Sequence, residues 1–567
     1  MGSSAKLGSG STTSPYGRLW QLMGAEKRDL GIVVVYAAAV GVFSLAIPVA
    51  SQALVNTVAF NVLLQPIVVL TIIVLAMLGV GALLRLIQTS VVEAIQRRIF
   101  VRLSLDLAYR LPRMKIDVYD KYRGTELLNR FFEVVTVQKA VSLILLDGLA
   151  IILQSLVCMV LLAFYHPLLL AFDIFLMVCI FLVILMPARG AVKTSLKESK
   201  AKYQVAAWLE EVARNSLVFR LEKGPEYALE RADEVTSSYV KYRKDHFKIL
   251  RRQIASTLIL HAVISALFLG LGSFLVIKEQ LTLGQLVASE IVVNMIIAGF
   301  AKFGKYLESF YDLLASLDKL GSLFDLPVEK SEGELFPSRD EPYSIRLKDV
   351  SFAYYPTPSS ALSGINFEIE PGAKVGLYGA NGSGKSTLFD VLIGLRSPSS
   401  GVVEINGLDL RELNLESLRR HIVLVRKAEI FDGTVLDNIR MGNPQVSLEE
   451  VRETLRNVGL LEDVSSLPDG LMTHLSGTAG PLSAGQAQKL MLARVLVSKP
   501  KLILLDEALE HIDEESKNRL LRTLLAPDAP WTVVMASHEA KDLIQASRII
   551  SLKHGVVVGD VSTVRPS

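Results

Sequence analysis

Residues 374–387 read KVGLYGANGSGKST, and residues 379–387 of that stretch carry the spacing G-x-x-x-x-G-K-[ST]. The motif lies directly behind a short apolar run and directly ahead of the helical pattern LFDVLIG. Strand, glycine turn and helix start in that order make a phosphate cradle, because backbone N–H groups at a helix N-terminus point at the anion and the helix dipole favours negative charge. Gly379, Gly382 and Gly384 let the backbone close around a β-phosphate, and Ala380, Asn381, Ser383 and Thr387 complete the binding loop. Lys385 reaches the β- and γ-phosphates, and the Ser386 hydroxyl ligates Mg²⁺.

Downstream, residues 501–507 read KLILLDE, an apolar strand ending in two carboxylates. Asp506 is placed to hold Mg²⁺ through water. Glu507, one residue on and so aimed differently, is placed to polarise the water that attacks the γ-phosphorus. Short apolar runs at 374–378, 502–505 and 532–536 alternate with helical segments, which predicts a buried parallel sheet in an α/β domain beginning near Tyr343. The charged stretch EKSEGELFPSRDE, 329–341, reads as the boundary ahead of it.

The chain before that boundary is of another kind. Across 567 residues the hydrophobic share is 51%, too apolar for a soluble protein of that length. Lys and Arg total 60 against 57 Asp and Glu, so the totals give no reason to expect a nucleic-acid partner. The two cysteines, Cys158 and Cys179, lie in apolar runs and exclude a disulfide-stapled fold or a four-cysteine metal site. Six apolar runs, 31–55, 62–84, 141–164, 168–186, 254–277 and 283–300, match the roughly 30 Å of a bilayer as helices. The connections between runs two and three and between runs four and five hold roughly 25 Lys and Arg, and the opposite connections hold about one, Lys278. Both basic segments and the N-terminus are therefore expected in the cytoplasm. Those segments keep helical periodicity, so the membrane helices are expected to continue into the cytoplasm. Residues 1–15 read as a flexible tail without a signal-peptide apolar core, and Lys6 stands where a myristoylation motif wants Ser or Thr. Residues 16–30 form an amphipathic stretch expected along the membrane surface.

Residues 482–486 read LSAGQ and open an amphipathic helix about 100 residues after the phosphate loop and about 20 before Asp506, so Ser483 and that helix start make a second anion site. Phosphate loop, LSxGQ-type signature, acidic strand end and later histidine, in this order, resemble the nucleotide-binding domain of ABC transporters. Six membrane helices fused ahead of it resemble the type I exporter half-transporter. The resemblance implies a multi-domain chain: an all-α six-helix transmembrane bundle with cytoplasmic helix extensions over 16–328, a linker at 329–342, and an α/β P-loop ATP-binding domain over 343–567. It implies ATP and Mg²⁺ as cofactors, and an ATPase coupled to transport in a multi-pass protein of the bacterial inner membrane.

Two such domains close head to tail in that family, so LSAGQ of one copy completes the site of the other, with Ser483, Gly485 and Gln486 facing nucleotide. A homodimer is the simplest arrangement, and a related half-transporter is the alternative partner. By the same resemblance Tyr354 stacks on adenine, with Tyr355 as substitute, His538 is the switch histidine near the γ-phosphate, and Asp513 ends the D-loop. Segments near 113–130 and 213–223 match the coupling helices that transmit domain closure.

Two positions depart from the family pattern. Arg426 stands where a glutamine is usual; it has donors only and cannot ligate Mg²⁺, so either the metal takes an extra water there or Arg426 points at phosphate or at a coupling helix. The D-loop reads Glu510-His511-Ile512-Asp513 instead of small residues before its aspartate. Both leave open an ATP-gated channel or regulatory protein with impaired hydrolysis. Asp147, Asp173, His261 and Glu290 are the ionisable residues within the apolar runs, and intramembrane charge marks functional candidates. Asp173 is expected to be solvated near the outer interface, and Glu290, followed on one face by Asn294 and Ala298, is the best cavity-lining candidate. A cavity with few charges suits lipids, hydrophobic peptides or drug-like compounds. No peptidase domain is read ahead of the first run, which argues against a leader-cleaving peptide exporter.

Overall fold

The computed structural model describes residues 14–59, 64–122, 124–185, 190–329, 332–354, 360–476 and 480–562. Residues 1–13 of the tail, Tyr355, the first two residues of the second apolar run, and Met186 lie outside the described residues. The chain forms two units, Met1–Met114 with Val118–Pro327, and Lys115–Asp117 with Val328–Ser567.

The first unit is helical. Among the described residues, five helical segments are long and apolar enough to cross a membrane, Lys27–Thr57, Gln65–Arg113, Asn129–Tyr165, Gly224–Ile277 and Leu283–Phe324, and Pro167–Val183 is a shorter apolar helix. The first is broken between Lys27–Ser44 and Ala46–Ala59. Pro48 lacks the N–H that would bond the Ser44 carbonyl, and its ring crowds that turn. Helices Leu64–Arg110 and Gly224–Ile277 run 47 and 54 residues. At 1.5 Å per residue these are about 70 and 80 Å long, more than twice a bilayer core, as the helical periodicity of the basic segments implies. The third segment passes through one π-helical turn, Ile144–Gly148, which carries Asp147.

The amphipathic stretch at 16–30 does not present its polar face simply to a surface. Helix Pro15–Ala25 buries Arg18 to 4% exposure. The guanidinium donates to the Asp318 carbonyl at 2.8 Å and pairs with Asp325, both on or just after helix Phe303–Phe324. A Cβ at Gly321 would lie 1.6 Å from Arg18 Nη1, so only glycine leaves room for this contact. Helix Ala191–Arg214 is followed by the turn Val218–Arg220 and helix Gly224–Ile277. Edge-to-face contacts of Trp208 with Phe219 at 5.6 Å and Tyr227 at 6.0 Å hold that turn.

The second unit is α/β. Its six-stranded sheet has the order Val556–Ser562, Arg548–Lys553, Lys374–Tyr378, Thr532–Ser537, Leu502–Asp506, Ile422–Val425, with all pairings parallel except the first. The two central strands after Lys374–Tyr378 are buried throughout. Alternation divides their side chains between two cores, as the strand period of two requires. Leu502, Leu504 and Val534 join one core with Leu388 and Phe389 of the helix after the phosphate loop, while Ile503, Leu505 and Val533 join another with Leu490 and Leu492. A four-stranded antiparallel sheet, Ser360–Ile369, Ile345–Ala353, Ser400–Ile405, Leu408–Asp409, was not foreseen. The charged stretch read as a boundary contacts this unit: Glu329 pairs with Arg419 at 2.6 Å and Phe336 is 5% exposed.

Candidate nucleotide-binding site

Strand Lys374–Tyr378 ends at the phosphate loop, and helix Lys385–Leu392 begins behind it. Gly384 caps that helix with φ +104, a left-handed conformation that L residues rarely adopt. Gly379 is required for another reason: a Cβ there would lie 2.6 Å from the Leu552 carbonyl and 2.5 Å from Ser383 Oγ. Asn381 to Thr387, Tyr354, Ser360, Ala361, Glu507 and His554 surround a cleft of about 510 Å³. Lys385 Nζ donates to the Gly379 carbonyl at 2.7 Å and lies 3.4 Å from Glu507 Oε1. The Tyr354 hydroxyl is 3.0 Å from Thr387 Oγ1, and the Arg396 guanidinium lies 4.7 Å from its ring centroid.

Glu507 adopts φ +55, an uncommon conformation for glutamate, immediately after the buried strand Leu502–Asp506. Its N–H is fixed to the Ala536 carbonyl at 3.2 Å, which ties the ends of two neighbouring strands together. His538 Nδ1 lies 3.2 Å from Glu510 Oε1 and 3.8 Å from Glu507 Oε1. The unusual D-loop glutamate thus sits against the histidine, a pairing that sequence reading did not find.

Arg426 does not point at open phosphate space. Its Nε donates to Asp506 Oδ2 at 2.9 Å, its Nη2 donates to the Ser386 carbonyl at 2.8 Å, and Nη2 lies 2.8 Å from Asp390 Oδ1. The physical reason is charge: Asp390 and Asp506 are 6% exposed each, and two buried carboxylates need cations. Arg396 supplies the second, its Nε donating to Asp390 Oδ2 at 3.1 Å. Gln488 Nε2 fixes the Arg426 carbonyl at 2.8 Å. Asp390 and Gln488 were not singled out from sequence. Asp390 stands four residues after Ser386, on the same helix face, which was the available signal.

The Mg²⁺ expected from sequence has matching donors. Asp506 Oδ1 is buried and has no hydrogen-bond partner, Arg426 bridges Asp506 and the Ser386 carbonyl, and the chemistry of a carboxylate and a serine hydroxyl suits a hard cation. Arg426 engages the other Asp506 oxygen, so the site combines these donors with a fixed positive charge.

The signature residues lie elsewhere in the unit. Ser483 caps helix Ala484–Val497: its Oγ accepts from Gln486 N–H at 3.2 Å, and Gln486 Oε1 accepts from Ser483 N–H at 2.9 Å. A Cβ at Gly485 would lie 2.7 Å from the His511 carbonyl, so the glycine admits the D-loop backbone. Asp513 caps helix Glu514–Leu524 by accepting from Ser516 N–H at 2.8 Å and pairs with Lys489 at 3.2 Å. Its hydrogen bonds to Ser516 hold the carboxyl down to about 2. Ser483, Gly485, Gln486 and Asp513 do not line the cleft beside Lys385.

In the first unit Arg85 Nη2 donates to Asp147 Oδ1 at 2.6 Å, and with Gln154, Ala298, Lys302 and Tyr306 the pair lines a cleft of about 310 Å³. Glu290, Asn294 and Ala298 are exposed on one face of helix Leu283–Ala301. Asp173 departs from its expected solvation: it is 1% exposed, and neither carboxylate oxygen has a hydrogen-bond partner. The depth estimate placed it along its helix, but which way it faces depends on packing against neighbouring helices. His261 borders a small apolar recess with Leu176, Ile180 and Phe300.

Residues 30–299 match the ABC transporter transmembrane region, and residues 362–510 match the ABC transporter family. The alpha-hemolysin translocation ATP-binding protein HlyB of Escherichia coli O157:H7 is 31% identical over 294 residues, which are 52% of this chain and 41% of that protein. The leukotoxin translocation ATP-binding protein LktB of Mannheimia haemolytica is 31% identical over 291 residues, 51% of this chain and 41% of that protein. These alignments thus cover less than half the length of either relative. A bacterial Atm1-family ABC exporter solved with ATP bound shares the fold with a TM-score of 0.85 over 95% of this chain and 96% of that one, at 19% identity. With a matching transmembrane region followed by a matching ATP-binding region in one polypeptide, this multi-pass membrane protein belongs to the ABC transporter family.

Proposed function

We infer that the chain is an exporter-type half-transporter that pairs with a second copy of itself and couples ATP hydrolysis to movement of an amphipathic or hydrophobic substrate, such as a lipid, peptide or drug-like compound. The observation that carries this reading is the separation of the two halves of the nucleotide machinery within one chain. Lys385 and Glu507 border one cleft, while Ser483, Gly485 and Gln486 lie off it at the start of their own helix. A second copy, turned head to tail, would supply the missing donors.

In this account the loop N–H groups and Lys385 bind the β- and γ-phosphates, and Tyr354 packs on the base. Ser386 and Asp506 would hold Mg²⁺, which supplies charge neutralisation to the phosphates when bound. Glu507 accepts the proton of the attacking water, with its carboxylate oriented by the strained backbone. His538, positioned by Glu510, donates toward the γ-phosphate. Closure of two ATP-binding domains drives alternation of the membrane helices, with the segments near 113–130 and 213–223 as levers. The exposed face of Glu290, Asn294 and Ala298 and the Arg85–Asp147 cleft line the substrate path. The N-terminus and ATP-binding domain face the cytoplasm of a bacterial inner membrane. Arg426 on Asp506 and Glu510 on His538 favour slow or regulated hydrolysis as the second reading, including a half that works fully only with a related partner chain.

Mixed dimers test the composite site. Two differently tagged copies are co-purified in lipid nanodiscs and nucleotide is trapped with vanadate. Lys385→Ala in one copy and Ser483→Ala in the other leave one intact site and are expected to trap nucleotide. Both substitutions in one copy, beside a wild-type copy, leave none. Trapping by the second combination and not by the first would overturn the head-to-tail dimer.

A further inference from the structure

Arg426 is anchored more thoroughly than a residue that merely replaces a neutral neighbour. Three of its contacts converge on the metal-binding side of the site: Asp506 Oδ2 at 2.9 Å, Asp390 Oδ1 at 2.8 Å and the Ser386 carbonyl at 2.8 Å. Its own carbonyl is held by Gln488 at 2.8 Å, so the backbone that carries it is fixed too. The side chain is 36% exposed while those of the two carboxylates are 8% and 5% exposed, so the guanidinium closes the solvent side of a buried acidic pair. Arg396 balances Asp390 from the opposite side at 3.1 Å. The two arginines and two buried carboxylates sum to zero charge without any added ion, Arg396 also meets the exposed Asp117 at 3.0 Å, and Asp506 Oδ1 is buried without a hydrogen-bond partner.

We propose that Arg426 is a resident cation of the nucleotide site, neutralising Asp506 permanently and so letting this chain bind a nucleoside triphosphate with a much reduced requirement for a divalent cation. This rests on the nucleotide-binding reading above and goes beyond it. A neutral side chain at 426 would leave Asp506 facing the incoming tetra-anionic triphosphate with only a divalent cation to separate them. Arginine is charged at every accessible pH and cannot be displaced into solution as an ion can. It attracts the phosphate tail when no divalent cation is present and repels a divalent cation when one arrives. Affinity for the metal-free nucleotide rises and the gain from adding metal shrinks; both follow from one fixed charge.

The test measures binding of AMP-PNP, a non-hydrolysable ATP analogue, by calorimetry on the full chain in nanodiscs, once with EDTA and once with excess Mg²⁺. The ratio of the two Kd values is the readout. Wild type is expected to show a ratio below about tenfold, and Arg426→Gln a ratio larger than wild type by at least about tenfold, as expected for one unit charge removed a few ångströms from the phosphates at intermediate dielectric. Arg426→Lys keeps the charge and is expected to stay near wild type. If Arg426→Gln fails to fold, the comparison is made in an Asp390→Asn background, which removes one of the buried carboxylates that need a cation, and Arg426→Gln is expected to enlarge the ratio relative to Asp390→Asn alone by the same factor. Equal ratios in wild type and the neutral variants would overturn the proposal and leave Arg426 as a structural clip. Binding of AMP-PNP by wild type in neither condition would instead overturn the nucleotide-site reading on which it rests.

Discussion

Replacing Ser483 separates two roles that one hydroxyl could fill. In the folded chain Ser483 Oγ accepts from Gln486 N–H at 3.2 Å and Gln486 Oε1 returns a bond at 2.9 Å, a reciprocal cap at the start of helix Ala484–Val497. Ser483→Ala removes half of that cap, at a cost of about 1 kcal/mol. The helix itself survives, because Leu490, Leu492 and Val495 are buried in the core against strand Leu502–Asp506. For a domain of some two hundred residues that loss lowers the unfolding midpoint by about 2–4 °C and leaves nearly every molecule folded at 25 °C. If Ser483 only caps its helix, Mg-ATP turnover at 25 °C stays at the wild-type level. If it also donates to the γ-phosphate bound by the other copy, turnover falls at least about tenfold, the effect of one lost charge-assisted hydrogen bond. Ser483→Asp sharpens the distinction, since aspartate caps as well as serine but presents an anion to the phosphate. The expected result is a wild-type midpoint with turnover lost. Wild-type turnover in both variants, measured by phosphate release beside thermal unfolding, would refute the trans-acting signature.

Three further outcomes follow from packing and charge. Gly321→Ala puts a Cβ 1.6 Å from the Arg18 guanidinium and is expected to evict it, costing about 2–3 kcal/mol of charged hydrogen bonding and exposing helix Pro15–Ala25 to protease. Unchanged proteolysis would contradict that contact. Arg85→Ala is expected to destabilise the protein more than Arg85→Ala with Asp147→Ala, because the single change strands a carboxylate within the membrane unit; equal unfolding midpoints would show that the 2.6 Å pair contributes nothing. His421 lies beside Phe336 and Tyr343, and burial, then Arg420 and Lys501, hold its imidazole below the usual histidine value. The fold therefore favours the neutral ring: its contribution is present above the ordinary value near 6.5 and is lost as pH falls below it. The unfolding midpoint is expected to drop between pH 7 and 5 in wild type and less in His421→Gln, and identical pH profiles would exclude this residue as the cause.

The phosphate loop was legible because its chemistry is local: strand, glycines, lysine and serine must be consecutive to close a backbone cradle. The membrane helices were legible for a similar reason, since a run of apolar residues needs no knowledge of its neighbours to be read. What escaped the sequence was set by distant pairing. Arg426 meets Asp390 and Asp506 across separations of 36 and 80 positions, and no periodicity marks such a triad. Asp147 was noted as an intramembrane charge, yet its partner Arg85 is 62 positions away on another helix. Asp173 was assigned to solvent from its depth alone, whereas the facing of a helix is decided by packing. The antiparallel sheet was missed because strands Ile345–Ala353 and Ser360–Ile369 pair with register shifts that blur the alternation a half-buried strand would show.

The central claim is that this chain is itself an ATP-hydrolysing transporter component whose chemistry depends on Glu507. The most direct measurement is Mg-ATP hydrolysis by the full chain purified alone into lipid nanodiscs, wild type beside Glu507→Gln, with AMP-PNP binding measured on both. The account expects turnover in wild type, loss of at least about a hundredfold in Glu507→Gln, and binding retained in both. Turnover that persists in Glu507→Gln, or wild type that binds nucleotide without turnover above that variant, would contradict it.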